Sequence, residues 1–330
     1  MSNLLILQSS SKVGSPAYER LESFKSFFIG NGFNVLILPY PEKFKDFIEI
    51  VKYIRTNGID YLFVSQPPFR FFILFLIPFV KKIIDYRDGW SIANLHGYGG
   101  LKKPNYLKYY ISKSIEKFCM SRSNLIITCT EGLQEYLGGL TNKNIILITN
   151  GISLLKFSLI QENRANCVLK EDQEKLKFAC AGQFSEYGIN QVKSIINTIA
   201  TRYSDFFCQI NVYGADSEKN EWLFGFLENY HNIEFVLHPR LAQEELYEVL
   251  SYSDIYISVI RDPSFDYGTK VFEYISFGKP ILNYFSDYNN FVGYFDGAFD
   301  VNVSSNKFSK AIIREDILEL RKAEILREIK

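Results

Sequence analysis

The sequence predicts an α/β protein built from two parallel-sheet units. Three observations carry that reading: short, nearly continuous apolar runs, longer helical patterns between them, and a restart of the same alternation near residue 175. At 330 residues the chain has room for two domains of ordinary size. Its 47% hydrophobic and 22% charged residues suit a folded protein.

NLLILQ (3–8) reads as the first strand, YERLESFKSFFIGNG as a helix stopping at Gly32, and NVLILPY (34–40) as the second strand. A helix around FKDFIEIVKYIRTNG leads to the strand DYLFVSQ (60–66). FRFFILFLIPFV (69–80) is the most apolar stretch; Pro78 breaks it, and it is too short to cross a bilayer as a helix. Its composition predicts a wholly buried helix, with a segment dipping into a membrane interface as the alternative. The strands KKIIDYR, NLIITCT (124–130) and NIILITN (144–150) complete the first half.

After a linker near 152–174 come KLKFACAG (175–182), FFCQINVYG (206–214), NIEFVLHP (232–239), DIYISVI (254–260) and PILNYF (280–285), with helices such as QEELYEVLSYS between them. The last stretch, REDILELRKAEILREIK, has Ile and Leu near helical spacing. The domains expected are 1–160 and 161–312, with a C-terminal helix over 313–330 that can pack back on the first. Ligands of open parallel sheets bind outside the carboxyl ends of the strands, so two such units facing each other would form a cleft.

The charges balance at 37 against 37, but residues 1–165 carry 20 Lys and Arg against 12 Asp and Glu, and the remainder 17 against 25. A basic half of +8 suits anionic partners such as a membrane surface or a diphosphate-bearing acceptor. Nothing resembles a nucleic-acid-binding motif. The five cysteines form no C-x-x-C pair and only three histidines are present, which argues against a disulfide framework or a zinc site. The N-terminus lacks a basic flank and a long apolar core, so export is not expected.

Three stretches carry chemistry. In DYGTKVFEYISFGKP (266–280), Lys270 and Glu273 are three residues apart on a short helix over 268–277, which Gly278 stops and Pro280 forbids to continue. The bland alternative is an ordinary surface ion pair. Gly182 ends a strand and lets the backbone turn into a helix whose N–H groups can receive a phosphate, and Gly214 is similar; both are also ordinary punctuation of α/β folds. Asn150-Gly151 follows a strand and reads as a turn. In DYRDGWSIANLHGYGG (85–100), Asp85, Arg87 and Asp88 lie just beyond a buried strand and His96 precedes a glycine-rich loop. These groups can pair structurally, or orient a hydroxyl and hold an anion.

GTKVFEYISFGKP resembles the donor-binding signature of the retaining, nucleotide-sugar-dependent glycosyltransferases of family four, which have the GT-B fold of two facing Rossmann-like domains. AGQFSEYG resembles that family's glycine loop, TNG (149–151) its Pro-Asn-Gly, and DYRDGW a signature of members that build bacterial surface polysaccharides. The resemblance implies that the first domain binds the acceptor and the second the nucleotide sugar. It implies that Glu273 holds the ribose hydroxyls and Lys270 faces the diphosphate or sugar, with Gly182 and Asn150 also at the donor; Gly214 is added as a donor candidate on its turn alone. Asp88, His96 and Lys270 are the catalytic candidates.

Two positions depart from the pattern: Phe265 stands where the first Glu of Glu-x7-Glu would fall, with Asp266 beside it, and Tyr187 stands where a Lys or Arg often precedes Gly. Cations and helix N-termini can stabilise a departing diphosphate, so no metal cofactor is expected and the nucleotide sugar is a substrate. The implied activity is retaining sugar transfer to a glycan or lipid-linked acceptor, by a cytoplasmic protein peripheral to the inner membrane face. The alternatives are an inactive sugar-nucleotide-binding protein of the same fold and a sugar-nucleotide epimerase.

Overall fold

The computed structural model describes residues 1–10, 12, 14–65, 69–97, 102–167, 175–284, 290–295 and 311–329. The glycine-rich loop after Gly97, most of the linker beyond Cys167, and the strand-end residues Gln66 and Phe285 lie outside them. The chain forms two compact units. The first comprises Met1–Ser153, Ser264–Asp266 and Ile313–Lys330; the second comprises Leu154–Pro263 and Tyr267–Ile312.

The first unit holds strands β1 (Ser2–Gln8), β2 (Phe33–Pro39), β3 (Tyr61–Ser65), β4 (Lys81–Tyr86), β5 (Leu125–Thr128) and β6 (Ile145–Leu147). They form one parallel sheet in the order β2-β1-β3-β4-β5-β6. The apolar runs are continuous because helices cover both faces: Leu5 and Leu7 pack into one cluster, Leu4 and Ile6 into another. The helix Pro16–Gly30 starts where Ser15 Oγ accepts the Tyr18 N–H with Pro at the first position. Two C-terminal helices, Arg314–Leu320 and Lys322–Ile329, bury Leu318, Ile325 and Ile329 in the cluster that contains Leu4, Phe24 and Phe63.

The run 69–80 departs from the sequence expectation. It forms only a 3₁₀ turn, Phe72–Leu76, in which Leu74 and Phe75 are buried while Leu76 and Phe79 are half exposed. Pro78 has no N–H to extend a helix, and so short an element cannot bury apolar side chains on every side.

The second unit holds β7 (Lys175–Ala181), β8 (Phe207–Tyr213), β9 (Ile233–His238), β10 (Ile255–Ile257) and β11 (Ile281–Leu282), parallel in the order β11-β10-β7-β8-β9. The chain runs from β7 outward to β9, then crosses to β10 on the other side. The switch point of this sheet is therefore between β7 and β10, where the strand ends diverge and leave a crevice.

Candidate functional site

A pocket lies at that switch point. Gly182 and Gln183 after β7, Ser258 to Ile260 after β10, Tyr187, and Tyr267 to Val271 line a space of about 110 Å³. That is room for several water-sized groups, the scale of a diphosphate. Gly182 has φ of 100°, the left-handed region that only glycine enters readily, and its N–H donates to the Tyr213 carbonyl at 2.9 Å. The helix Lys270–Phe277 begins at the pocket's opposite wall, preceded by Gly268 at φ of 65°. Thr269 makes no side-chain cap, so no hydroxyl of its own covers the first turn of that helix. Gly278 ends the helix at φ of 67°, as its sequence position predicts.

Two tyrosines hold this helix to the strand ends. Tyr274 Oη accepts the Ala181 N–H at 2.7 Å, next to the Gly182 turn, and its ring stacks on Tyr256 with centroids 4.7 Å apart. Burial pushes the Tyr274 hydroxyl well above its ordinary range, so it stays neutral. Glu186 fastens the other side. Its carboxylate accepts the N–H groups of Phe184 and Asp216, each at 2.8 Å, and the Asn220 amide at 3.2 Å. Burial alone would push this carboxyl up, but the donors outweigh it and hold it below its usual value.

Lys270 and Glu273 pair as their spacing requires, Nζ to Oε2 at 2.7 Å, yet this is not a surface bridge. Glu273 is only 4% exposed, and its other oxygen meets a second lysine, Lys156 Nζ, at 3.3 Å. Burial pushes the Glu273 carboxyl up, but the two lysines prevail and the net shift is downward. Lys156 lies on the helix Leu154–Asn166, which is clamped to the Glu273 helix where Gln161 Nε2 donates to the Ser276 carbonyl at 2.9 Å.

The structure thus brings Gly182 and Lys270 to one pocket; Glu273 pairs with Lys270 just behind it and is not itself among the lining residues. Gly214 follows β8 at φ of 80°, and a Cβ there would come within 3.4 Å of the Arg240 backbone; it is not among the residues lining the pocket. Asn150, Asp88 and His96 belong to the first unit. Asn150 Oδ1 accepts from Arg20 Nη1 at 3.4 Å, and its carbonyl accepts from Arg314 Nε. Asp88 is exposed two residues before the helix Trp90–His96, whose last residue is His96, so roughly 10 Å of helix separates them. The His96 ring lies against Phe265, centroids 5.5 Å apart. Phe265 also packs beside Tyr136 and against the cluster of Ile92, Cys129 and Leu133, and its carbonyl accepts from Thr130 Oγ1 at 3.2 Å. Where the family pattern would put a carboxylate, this chain therefore has an apolar anchor within the first unit.

Sequence reasoning missed two buried groups there, Arg20 and Glu116. Asp85, expected just beyond the strand, is instead the fifth residue of β4, and its partner is Arg20 (Nη2 to Oδ1 at 2.7 Å). Glu116 is fully buried; it accepts from the Ser91 N–H at 3.1 Å and from Ser91 Oγ, and Ser91 in turn meets Tyr136 Oη at 2.7 Å. Burial pushes the Glu116 carboxyl up to about 7.

The helix Tyr106–Ser121 leaves Tyr106, Leu107, Tyr110 and Ile111 exposed at 63, 72, 63 and 52%. These are two i,i+4 pairs, hence one stripe, with exposed Lys103, Lys108 and Lys117 around it. Among the described residues, no helix is long and apolar enough to cross a membrane, and no group of three His, Cys, Asp or Glu side chains is placed to hold a metal ion.

Neither a protein-family model nor a curated protein sequence matches this chain. Solved structures do. A sucrose-phosphate synthase from Thermosynechococcus elongatus superposes with a TM-score of 0.63 at 14% identity, over 100% of this chain and 99% of that one. A glycosyltransferase from Rickettsia africae gives 0.64 at 11%, over 99% and 98%. The Anabaena protein HepE, in a complex with UDP and glucose, gives 0.58 at 12%, over 99% and 100%. The chain has the GT-B fold. At these identities the likeness concerns the path of the backbone, and the side chains must speak for the chemistry.

Proposed function

We propose that the chain is a retaining, nucleotide-sugar-dependent glycosyltransferase that acts on a glycan or lipid-linked acceptor in cell-surface polysaccharide synthesis. The observation that carries this reading is the pocket at the second unit's switch point, where the Gly182 turn and a helix N-terminus bearing Lys270 converge. Backbone N–H groups and one ammonium suit a diphosphate, and the adjacent Glu273 carboxylate suits a ribose diol. In the reaction, the bond from sugar C1 to the diphosphate oxygen breaks and the acceptor oxygen bonds to C1. The acceptor's proton passes to the departing phosphate, so no separate base is required. Lys270 and the helix N-terminus stabilise the charge that develops on the leaving group. Asp88 and His96 take acceptor or sugar contacts in the first unit, and Gly214, at the turn after β8, a donor phosphate contact through its backbone.

The test is turnover of a panel of UDP- and GDP-sugars, with products separated and the anomer identified. One donor should be hydrolysed slowly without acceptor and transferred faster with one, and the rate should survive EDTA. An epimerised donor as the product, or complete EDTA inhibition reversed only by Mg²⁺ or Mn²⁺, would contradict the reading.

The same reading places the first unit on an anionic membrane surface. The Tyr106, Leu107, Tyr110 and Ile111 stripe would enter the interface while the lysines reach lipid phosphates. In flotation assays, binding should require anionic vesicles, weaken as added salt shortens the Debye length below about 8 Å, and disappear when the four stripe residues are changed to Ser. Equal binding to neutral vesicles, or no binding at low salt, would exclude it.

A further inference from the structure

Glu273 carries one more cation than an isolated ion pair needs. Lys270 reaches Oε2 and lines the pocket, with a side chain 37% exposed; Lys156 reaches Oε1, is 11% exposed and is not among the lining residues. The two lysines are therefore unequal. Lys270 sits where an arriving phosphate would draw it, whereas Lys156 is held from behind. Its helix is fixed to the Glu273 helix by Gln161 and by Arg164, whose Nη1 reaches the Ser276 carbonyl at 3.4 Å. The close approach of Gly278 to the Arg164 guanidinium, 3.3 Å from a Cβ built there, marks how tightly the two elements meet.

We propose that Lys156 is a positioning residue: it keeps Glu273 a carboxylate, aimed at the ribose, when Lys270 turns from Glu273 to the diphosphate. The inference rests on the glycosyltransferase reading given above. A buried carboxylate that loses its only cation takes up a proton, because burial favours the neutral form. With Lys156 in place, Lys270 can leave and Glu273 stays charged. Among the described residues, the titratable or charged groups bearing on Glu273 are Lys156, Lys270 and the neighbouring Tyr274; Tyr274 remains neutral, and Arg164 is engaged by Ser276 and Gln161.

The experiment is calorimetry of UDP and GDP binding in buffers of different ionisation enthalpy, between pH 5.5 and 7.5, on the wild-type chain, Lys156→Met and Lys156→Arg. Comparing variants cancels the protons exchanged by the nucleotide itself. Lys156→Met should take up a fraction of a proton more than wild type on binding, so its affinity relative to wild type should worsen with rising pH, by about tenfold across the range. Lys156→Arg should behave as wild type. Lys156→Gln serves if the Met variant does not fold. If wild type binds a nucleotide and the Met or Gln variant exchanges the same number of protons, Lys156 is merely structural and the inference fails alone. If wild type binds neither nucleotide, the glycosyltransferase reading fails and takes this inference with it.

Discussion

Changing Asp85 to Ala should lower the unfolding free energy of the first unit by about 3–5 kcal/mol, the largest stability effect expected of any single substitution considered. Arg20 and Asp85 are both fully buried. The guanidinium meets Oδ1 through Nη2 at 2.7 Å and Oδ2 through Nε at 3.0 Å, and Ser65 Oγ donates to Oδ2 at 2.7 Å. The remaining nitrogen, Nη1, donates to the Ile148 carbonyl at 2.8 Å. Burial tends to lower the Arg20 pKa, but Asp85 outweighs it and the guanidinium is held charged. Removing the carboxylate therefore leaves a charge in the core with no compensating partner, a greater cost than losing the pair itself. Replacing both, as Arg20→Met with Asp85→Leu, should recover much of the loss. The chain has two tryptophans, one in each unit. In a Trp222→Phe background, denaturation followed by Trp90 fluorescence isolates the first unit, and a change under 1 kcal/mol for Asp85→Ala would contradict this account of the network.

Glu273→Gln should weaken nucleotide binding by roughly 1.5–3 kcal/mol, the value of charge-assisted hydrogen bonds lost from an acceptor that has little access to water. The substitution keeps the side chain's shape and leaves Lys156 and Lys270 facing an amide. Two consequences separate. Affinity falls because the ribose loses a charged acceptor, and stability falls because two cations lose their counter-ion. The second has a pH signature. The folded carboxyl titrates below its unfolded value, so its contribution is present above that unfolded value and is lost as pH falls through the folded one. The Gln variant should lack this acid dependence. Unchanged nucleotide affinity in the folded variant would remove Glu273 from the donor site.

The elements legible in the sequence are those whose signal is local. The strands among the described residues stand out as short apolar-rich runs; in the central ones burial on both faces makes the run unbroken, as in Leu4–Leu7, whereas the edge strands β2 and β9 are mostly half-buried. The helix Lys270–Phe277 was bounded by Gly268, Gly278 and Pro280, whose backbone constraints are written in their chemistry. The run 69–80 misled because apolar composition reports burial, not conformation. Arg20 and Lys156 carried no local signal at all: their carboxylates are 65 and 117 residues away, and only the tertiary packing of their helices brings them together. Glu116 was hidden for the same reason, a single acidic residue on a helix otherwise rich in Lys, Tyr and Ser. Of the proposed donor residues, Gly182 and Lys270 meet at the pocket because β7 ends and the helix Lys270–Phe277 begins at the switch point, and Glu273 follows within that helix, paired with Lys270; Asn150 lies in the other unit, where it accepts from Arg20 and Arg314.

The central claim is that the pocket between the Gly182 turn and Lys270 receives a nucleoside diphosphate, and thermal unfolding with UDP and GDP, with the monophosphates UMP and GMP as comparison, tests it most directly. A ligand that binds only the folded state at about 100 times its dissociation constant adds roughly 2.7 kcal/mol of apparent stability. One of the diphosphates should raise the unfolding temperature saturably in the wild-type chain, and Lys270→Met should abolish most of that rise while leaving the ligand-free protein folded. If no nucleotide shifts the transition, or if the shift is the same without the Lys270 ammonium, the pocket is not the donor site.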